Sequence, residues 1–135
     1  MSRILAVDYG DSRIGLAISD ETKTIAQTLQ PISVKNKKQV IKELQDLVKE
    51  KSVEKAILGL PFGLQGRDTA QTAKVKDFAL NLAELVPVEL VDERFTTRQA
   101  IKKLHEKNTP RSRMRGEVDS MSAYILLENY LGIRN

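Results

Sequence analysis

Apolar residues in this chain fall first into short, strand-like runs. RILAVD at 3–8 and RIGLAIS at 13–19 are rich in Ile, Leu and Val, and the turn-forming residues YGDS lie between them, which predicts a β-hairpin. A third strand is expected within AQTLQPISV at 26–34. Two later runs, VEKAILGLP at 53–61 and VPVELVDE at 86–93, predict two more strands, and the first of these is expected to be buried.

Helical spacing of apolar residues marks the other segments. Helices are expected at 37–51, at 70–86, around Ile101 and at about 117–131. Capping residues support two of the starts: Asp68 or Thr69 precedes the second helix, and Thr96 or Thr97 precedes the third. Gly132 is placed to end the last helix.

The resulting order, βββαβαβαα, is typical of an α/β protein. Strands joined by tight turns pair antiparallel, whereas strands separated by a helix pair parallel. We therefore expect a mixed five-stranded sheet, with three antiparallel strands followed by βαβ units and with helices on both faces. A chain of 135 residues suits a single domain, 1–135, with a core of its own.

Composition limits the chemistry of any site. Cys is absent, and the single His105, which lies on a polar stretch and is expected to be exposed, cannot build a histidine metal cluster. A bound metal would therefore depend mainly on carboxylates. The net charge of +4 and the pI of about 9.4 favour a polyanionic partner. Without a signal peptide or an apolar run of membrane-spanning length, we expect a cytoplasmic protein and no membrane partner.

Two acidic residues end predicted strands. Asp8 follows the first apolar run and Glu93 follows the last, and ligands in such sheets bind beyond the carboxyl ends of the strands. An Asp at a strand end is often only a turn residue that bonds its own backbone. Gly10, two residues after Asp8, favours a functional interpretation, because glycine lets the backbone approach a ligand closely.

Four motifs together resemble the YqgF family of bacterial proteins, which belongs to the RNase H-like superfamily and is related to the RuvC-type Holliday-junction resolvases. The motifs are AVDYGDSRIGLAISD, ILGLPFGLQG, VDERFTTRQA and RGEVDSMSAYILLENYL, and they extend over nearly the whole chain. The resemblance implies an RNase H-like fold and a magnesium-dependent phosphodiesterase, in which Mn²⁺ can replace Mg²⁺.

The same resemblance assigns three acids. The family's first-strand Asp corresponds to Asp8, the Glu of its DER motif to Glu93, and the Asp of its last helix to Asp119, which are implied to be both catalytic and metal-binding. In a two-metal site, a short Asp on a central strand suits the bridging position, so Asp8 is our candidate for it. Either Asp92, which is beside Glu93, or a water could complete the metal site as a fourth ligand. Arg115 stands where many relatives have Lys.

Basic and hydroxyl residues near these acids are candidate phosphate contacts. The segment TPRSRMRG at 109–116 is expected to be a loop whose arginines hold the nucleic-acid backbone without reading sequence, or else simply a solvated loop. GLPFGLQGRDT lacks the Lys-Ser or Lys-Thr ending of a P-loop, so nucleoside triphosphate binding there is rejected. The candidate substrate contacts are Gly10, Arg13, Arg67, Arg94, Thr96, Thr97, Arg111, Arg113 and Arg115.

Several functions fit this sequence. The favoured one is a metal-dependent endonuclease that matures the 5′ end of 16S ribosomal RNA precursor, acting as a monomer or weak homodimer. The first alternative is a resolvase of four-way DNA junctions, which needs two symmetric cuts and hence a twofold dimer. The second alternative is a noncatalytic module that binds nucleic acid. The actin, Hsp70 and sugar-kinase ATPases share the fold, but they need a second lobe for which this chain has no room.

Overall fold

The computed structural model describes residues 2–60, 70–92 and 111–132, with the backbone alone over 111–119. Within these residues it contains the five expected strands, which form one sheet. Among the helices that the structure describes, none is long and apolar enough to cross a membrane. The strands are β1 (Arg3–Tyr9), β2 (Arg13–Ser19), β3 (Ala26–Ser33), β4 (Val53–Leu60) and β5 (Val88–Asp92).

The sheet has the order β3-β2-β1-β4-β5 and is mixed, as expected. The three N-terminal strands pair antiparallel, while β4 pairs parallel with β1 and β5 pairs parallel with β4. β1 is therefore the central strand. β3 is an edge strand, and it contains Pro31, which cannot donate a hydrogen bond and is tolerated at an edge.

Three helices cover the sheet in the described part of the chain: α1 (Lys37–Glu50), α2 (Ala70–Ala83) and α3 (Arg111–Leu131). Asn36 caps α1, where its side-chain oxygen accepts hydrogen bonds from the backbone N–H groups of Lys38 and Gln39 at 3.0 and 3.3 Å. The helix expected around Ile101 lies outside the described residues.

The last helix begins six residues earlier than the sequence predicts. It was expected at about 117–131, after a loop at 109–116, but α3 starts at Arg111. The predicted start is wrong because apolar periodicity begins only after Gly116, whereas the helix itself begins at Arg111. Arg and Met are good helix formers, and one glycine in a helix costs only about 1 kcal/mol.

Side-chain alternation divides the core between the two faces of the sheet. On one face, Leu5 and Val7 of β1 belong to the larger core, which α1 and α2 cover. On the other face, Ile4 and Ala6 belong to a second core cluster that includes Ala123, Leu126 and Leu127 of α3. Helices therefore lie on both faces, as expected.

α3 is held to the sheet at two distant points. Near its C-terminus, the Tyr130 hydroxyl and the Glu89 carboxylate both bond the Lys55 ammonium, at 2.6 and 2.5 Å. The carboxylate is the larger cause of a raised Lys55 pKa, and the hydroxyl is the second. Further toward the N-terminus, the buried Ser120 hydroxyl donates to the Leu29 carbonyl at 2.8 Å. Because Lys55 is on β4 and Leu29 on β3, the helix crosses the sheet diagonally.

A second acidic turn connects β2 to β3. The Asp20 carboxylate accepts hydrogen bonds from the backbone N–H groups of Thr24 and Ile25 at 2.9 and 3.0 Å, and from the Thr22 hydroxyl at 2.5 Å. These donors, with Thr22 the strongest, hold the Asp20 pKa well below its usual range. Asp20 thus has the turn-forming role that any Asp at a strand end could have.

Candidate active site

Asp8 lies one residue before the end of β1 and is half-buried. Alternation along the strand places it on the same face as Ile4 and Ala6, which is the face that α3 covers. Its carboxylate therefore belongs to the central strand and to the side of the sheet on which Asp119 is carried.

Glycines occupy the neighbouring positions on both adjacent strands. Gly15 of β2 is the register partner of Asp8, and Gly59 of β4 directly follows Leu58, the partner of Val7. Neither residue has a side chain, so neither adjacent strand places one against the Asp8 carboxylate. Neither glycine was among the predicted site residues. Hairpin register could have found Gly15, because a turn centred on 10–12 places residue 15 opposite residue 8.

Gly10 has a structural explanation of its own. Its N–H donates to the Arg13 carbonyl at 3.0 Å and closes the hairpin. A Cβ added at Gly10 would lie 2.7 Å from that carbonyl oxygen, which is too close for any other residue. The tight turn therefore accounts for this glycine, and its presence no longer argues for a ligand.

Arg13, the first residue of β2, shares its face with Gly15 and therefore with Asp8. It is the diagonal neighbour of Asp8 across the hairpin, which in an antiparallel pair corresponds to about 7–8 Å between Cα atoms. A guanidinium at this position is within reach of an anion bound beside Asp8.

The diagonal course of α3 brings its N-terminal half toward the level of Asp8. Tyr130 bonds Lys55, the register partner of Ile4, whereas Ser120 bonds Leu29, which pairs with Leu16 opposite Val7. The helix thus runs antiparallel to β1, because its N-terminal part lies at the level of residue 7 and its C-terminal part at the level of residue 4. Position 119 immediately precedes the Ser120 contact.

Asp92 and Asp8 are on opposite faces of the sheet. Asp92 pairs with Leu60, which belongs to the core under α1 and α2, whereas Val91 packs with the core under α3. This placement argues against Asp92 as a partner of Asp8.

The remaining site candidates are incompletely described. Glu93 lies outside the described residues, and of Asp119 only the backbone is described. Across the part of the chain whose side chains are described, no three Asp, Glu or His side chains come together as a metal site. Of the candidate substrate contacts, Arg67, Arg94, Thr96 and Thr97 also lie outside.

The three arginines before Asp119 lie on a helix and not in the expected loop. Arg111 and Arg115 are four residues apart in α3 and therefore share one helix face, and Asp119 follows after a further four. At 3.6 residues per turn, position 113 is about 200° around the helix from position 111. The helix thus separates Arg113 from the two other arginines.

Known proteins resemble this chain over nearly its full length. A protein of Dictyoglomus turgidum named as a candidate pre-16S rRNA nuclease is 37% identical over 131 residues, covering 96% of this chain and 93% of its own. A protein of Protochlamydia amoebophila with the same name is 40% identical over 142 residues, covering 98% and 95%. The similarity therefore extends through all the predicted elements and not only through the motifs.

Solved structures agree on the fold. RuvC of T. thermophilus, in complex with a Holliday junction substrate, superposes with a TM-score of 0.58 at 13% identity and covers 98% of both chains. At this identity the similarity shows the RNase H-like fold alone. Residues 2–133 match the model of the family described as RuvX, Holliday junction resolvase, which confirms the YqgF resemblance. A match of this extent, together with relatives near 40% identity, shows that the chain belongs to the RuvX family.

Proposed function

We propose that this protein is a metal-dependent endonuclease that hydrolyses phosphodiester bonds, working in the cytoplasm on the 5′ end of 16S ribosomal RNA precursor. The observation that carries the proposal is the setting of Asp8. It is a half-buried carboxylate on the central strand, it lies between two glycine positions, and it faces the helix that carries Asp119.

Helical and strand periodicity complete the proposed set of acids. Position 119 precedes Ala123 by four residues and Leu126 by seven, so it extends the sheet-facing stripe of α3 by one turn. Glu93 follows Asp92 in the sequence, and a continuation of β5 by one residue would give position 93 the parity of Val91, on the side of α3. We therefore assign Asp8, Glu93 and Asp119 to one site.

Hard carboxylate oxygens are the donors that Mg²⁺ and Mn²⁺ prefer, so the proposed set fits such an ion. When bound, the metal would lower the pKa of a water and neutralise charge on the phosphate. The protein's own part would be to hold the acids on rigid elements, with no side chain at position 15 or 59 competing with the phosphate beside Asp8. Arg13 is placed to bind a phosphate oxygen on the hairpin side.

The relatives' names favour the RNA substrate, because the proteins of Dictyoglomus turgidum and Protochlamydia amoebophila are both named for a pre-16S rRNA nuclease. The family description favours the junction resolvase as a second candidate. The experiment that separates them incubates pure protein and Mg²⁺ with labelled ribosomal RNA precursor and with a four-way DNA junction, side by side. Cleavage of the RNA alone supports our first proposal, and paired symmetric cuts in the junction support the second.

Cleavage should depend on the divalent ion. We expect Mg²⁺ or Mn²⁺ to support it, excess chelator to abolish it, and Ca²⁺ to support it poorly, because the larger ion coordinates loosely and misplaces the nucleophile. The measurement is the initial rate on labelled substrate across the three ions. Restoring the rate by adding Mg²⁺ to chelated protein controls for damage, and full activity in excess chelator would exclude a carboxylate-bound metal.

The arginines of α3 should contribute unequally to substrate binding. If Arg111 and Arg115 each bind a phosphate, replacing either by Ala should lower the slope of log affinity against log salt by about 0.7 to 0.9. Arg113→Ala should change the slope less, because position 113 lies on another helix face. Titrations of precursor RNA, plain duplex and four-way junction at several salt concentrations would measure this. Equal slopes in all three variants would contradict the helical arrangement as the basis of binding.

A further inference from the structure

A groove lies on the face of the sheet opposite Asp8. It is formed between α1 and α2, at the end of β1, and has a volume of about 180 Å³. Tyr9, the residue after Asp8, lines it. Neighbouring residues of a strand point to opposite faces of the sheet. The groove and the proposed catalytic site therefore lie on opposite faces, both at the carboxyl end of β1.

The base of the groove is aromatic and apolar. The Tyr9 ring packs on the buried Phe78 ring, with 4.7 Å between centroids and an angle of 31° between the planes. Ile41 of α1 contributes to the wall. At about 30 Å³ per water molecule, the space equals roughly six waters, which is room for one planar ring system and not for a folded element.

The rim of the groove is polar and mainly basic. Lys37 and Lys74 line it from opposite helices, and both are exposed. Asp77 is also part of the lining, but Lys35 and Lys38 flank Lys37 in sequence and add to the positive charge. Lys74 meets Asp11 only at 3.6 Å, between largely exposed side chains, so this weak pair leaves the ammonium available to an anion.

We propose that this groove, the α1–α2 groove, binds one nucleotide of a single-stranded segment that adjoins the scissile bond. Lys37 and Lys74 hold the two phosphates that flank this nucleotide. Its base lies against Tyr9, with the edge of the base toward Asn81. The inference rests on the proposed nuclease function and extends the substrate's path from one face of the sheet to the other.

A single-stranded nucleotide fits the groove better than other occupants. A base paired in a duplex has no free face to place on an aromatic floor, whereas an unpaired base does. An acidic peptide would use the lysines but would leave the aromatic floor uncovered. The chain has too few aromatic residues for an extended stacking platform, with 4% of Phe, Trp and Tyr, but one base needs only one ring.

Binding can be measured without cleavage in protein that carries Asp8→Asn. The probes are a labelled RNA hairpin with a single-stranded extension and the same hairpin with a blunt end. Lys37→Ala with Lys74→Ala removes both rim charges. Lys49→Ala with Lys51→Ala removes two exposed charges at the far end of α1 and serves as the matched control. Melting temperatures verify that each variant is folded.

The groove variant should lose affinity for the extended hairpin by roughly ten- to thirtyfold near 0.1 M salt, with a salt slope lower by about 1.4 for two phosphates of a single strand. The blunt hairpin and the control variant should show no such loss. An equal loss on the blunt hairpin, or no loss on either, would overturn the proposal.

A second probe tests the base. In an extension of abasic nucleotides the phosphates remain but the bases are gone, and wild-type affinity should fall roughly fivefold or more. Undiminished affinity would show that only phosphates are held and would also overturn the proposal. Wild-type cleavage, assayed in parallel with Mg²⁺, separates the two hypotheses. If the wild type cleaves but the groove variant binds the extended hairpin normally, this inference alone is wrong. If the wild type does not cleave, the proposed function is wrong.

Discussion

Asp8→Asn should reduce cleavage by at least about a hundredfold, since even the hydrogen-bonding partners of metal ligands cost ten- to a hundredfold when mutated. The melting temperature should stay equal or rise, because acids gathered around an empty site repel one another and Asn removes one of the charges. Single-turnover cleavage and thermal unfolding of the same preparation would measure both. A clear loss of stability would instead indicate that Asp8 is a turn residue.

Asp20→Asn is the matched control, because Asp20 directly follows β2, the second strand of the hairpin. Here we expect cleavage to persist and the melting temperature to fall, since an amide accepts the Thr22, Thr24 and Ile25 hydrogen bonds more weakly than a carboxylate does. The lowered pKa of Asp20 means that its ionised form stabilises the fold above the ordinary Asp pKa of 3.8 and that this contribution is lost as pH falls below it. The difference between wild type and variant should therefore shrink in acid.

Glu93→Gln should also abolish most cleavage, whereas its neighbour Asp92→Asn should retain it. The reason is strand alternation. Asp92 pairs with Leu60 and belongs to the face opposite Asp8, so removing its charge leaves the proposed metal ligands intact. Cleavage rates at saturating Mg²⁺, with Asp119→Asn as a third variant expected to match Glu93→Gln, provide the comparison.

The reverse outcome would reassign the strand. If Asp92→Asn were inactive and Glu93→Gln active, the acid that completes the site would lie on the wrong face for Asp8, and the proposed set of ligands would be wrong. A partial loss in both variants that recovers at high Mg²⁺ would show weakened metal affinity, with both acids near the ion.

The sheet could be predicted from the sequence because its signals are local. Two apolar runs around YGDS specify the hairpin, and the apolar stripe of α1 specifies a helix that packs on one face. The start of α3 could not be found in this way, since Arg111 to Gly116 have no apolar stripe and helix formation there reflects the good propensity of Arg and Met.

The surroundings of Asp8 depend on pairing between distant residues. Gly15 comes opposite Asp8 through hairpin register, which can be counted from the sequence, but Gly59 comes beside it only because β4 joins β1 in one particular parallel register. The groove could not be predicted from any sequence motif. Tyr9, Lys37 and Asn81 come from three separate elements, and no spacing rule connects them.

The position of β1 in the sheet has a consequence for how the proposed site tolerates motion. β1 is paired on both sides, and its residues 4–7 are fully or almost fully buried, whereas β5 is a five-residue strand at the edge. Segments with many buried contacts open only with the whole molecule, and edge segments open locally at lower free energy. The carboxylate of Asp8 is thus held at a fixed position, so in the proposed site any adjustment to a bound ion or substrate would fall to the other ligands.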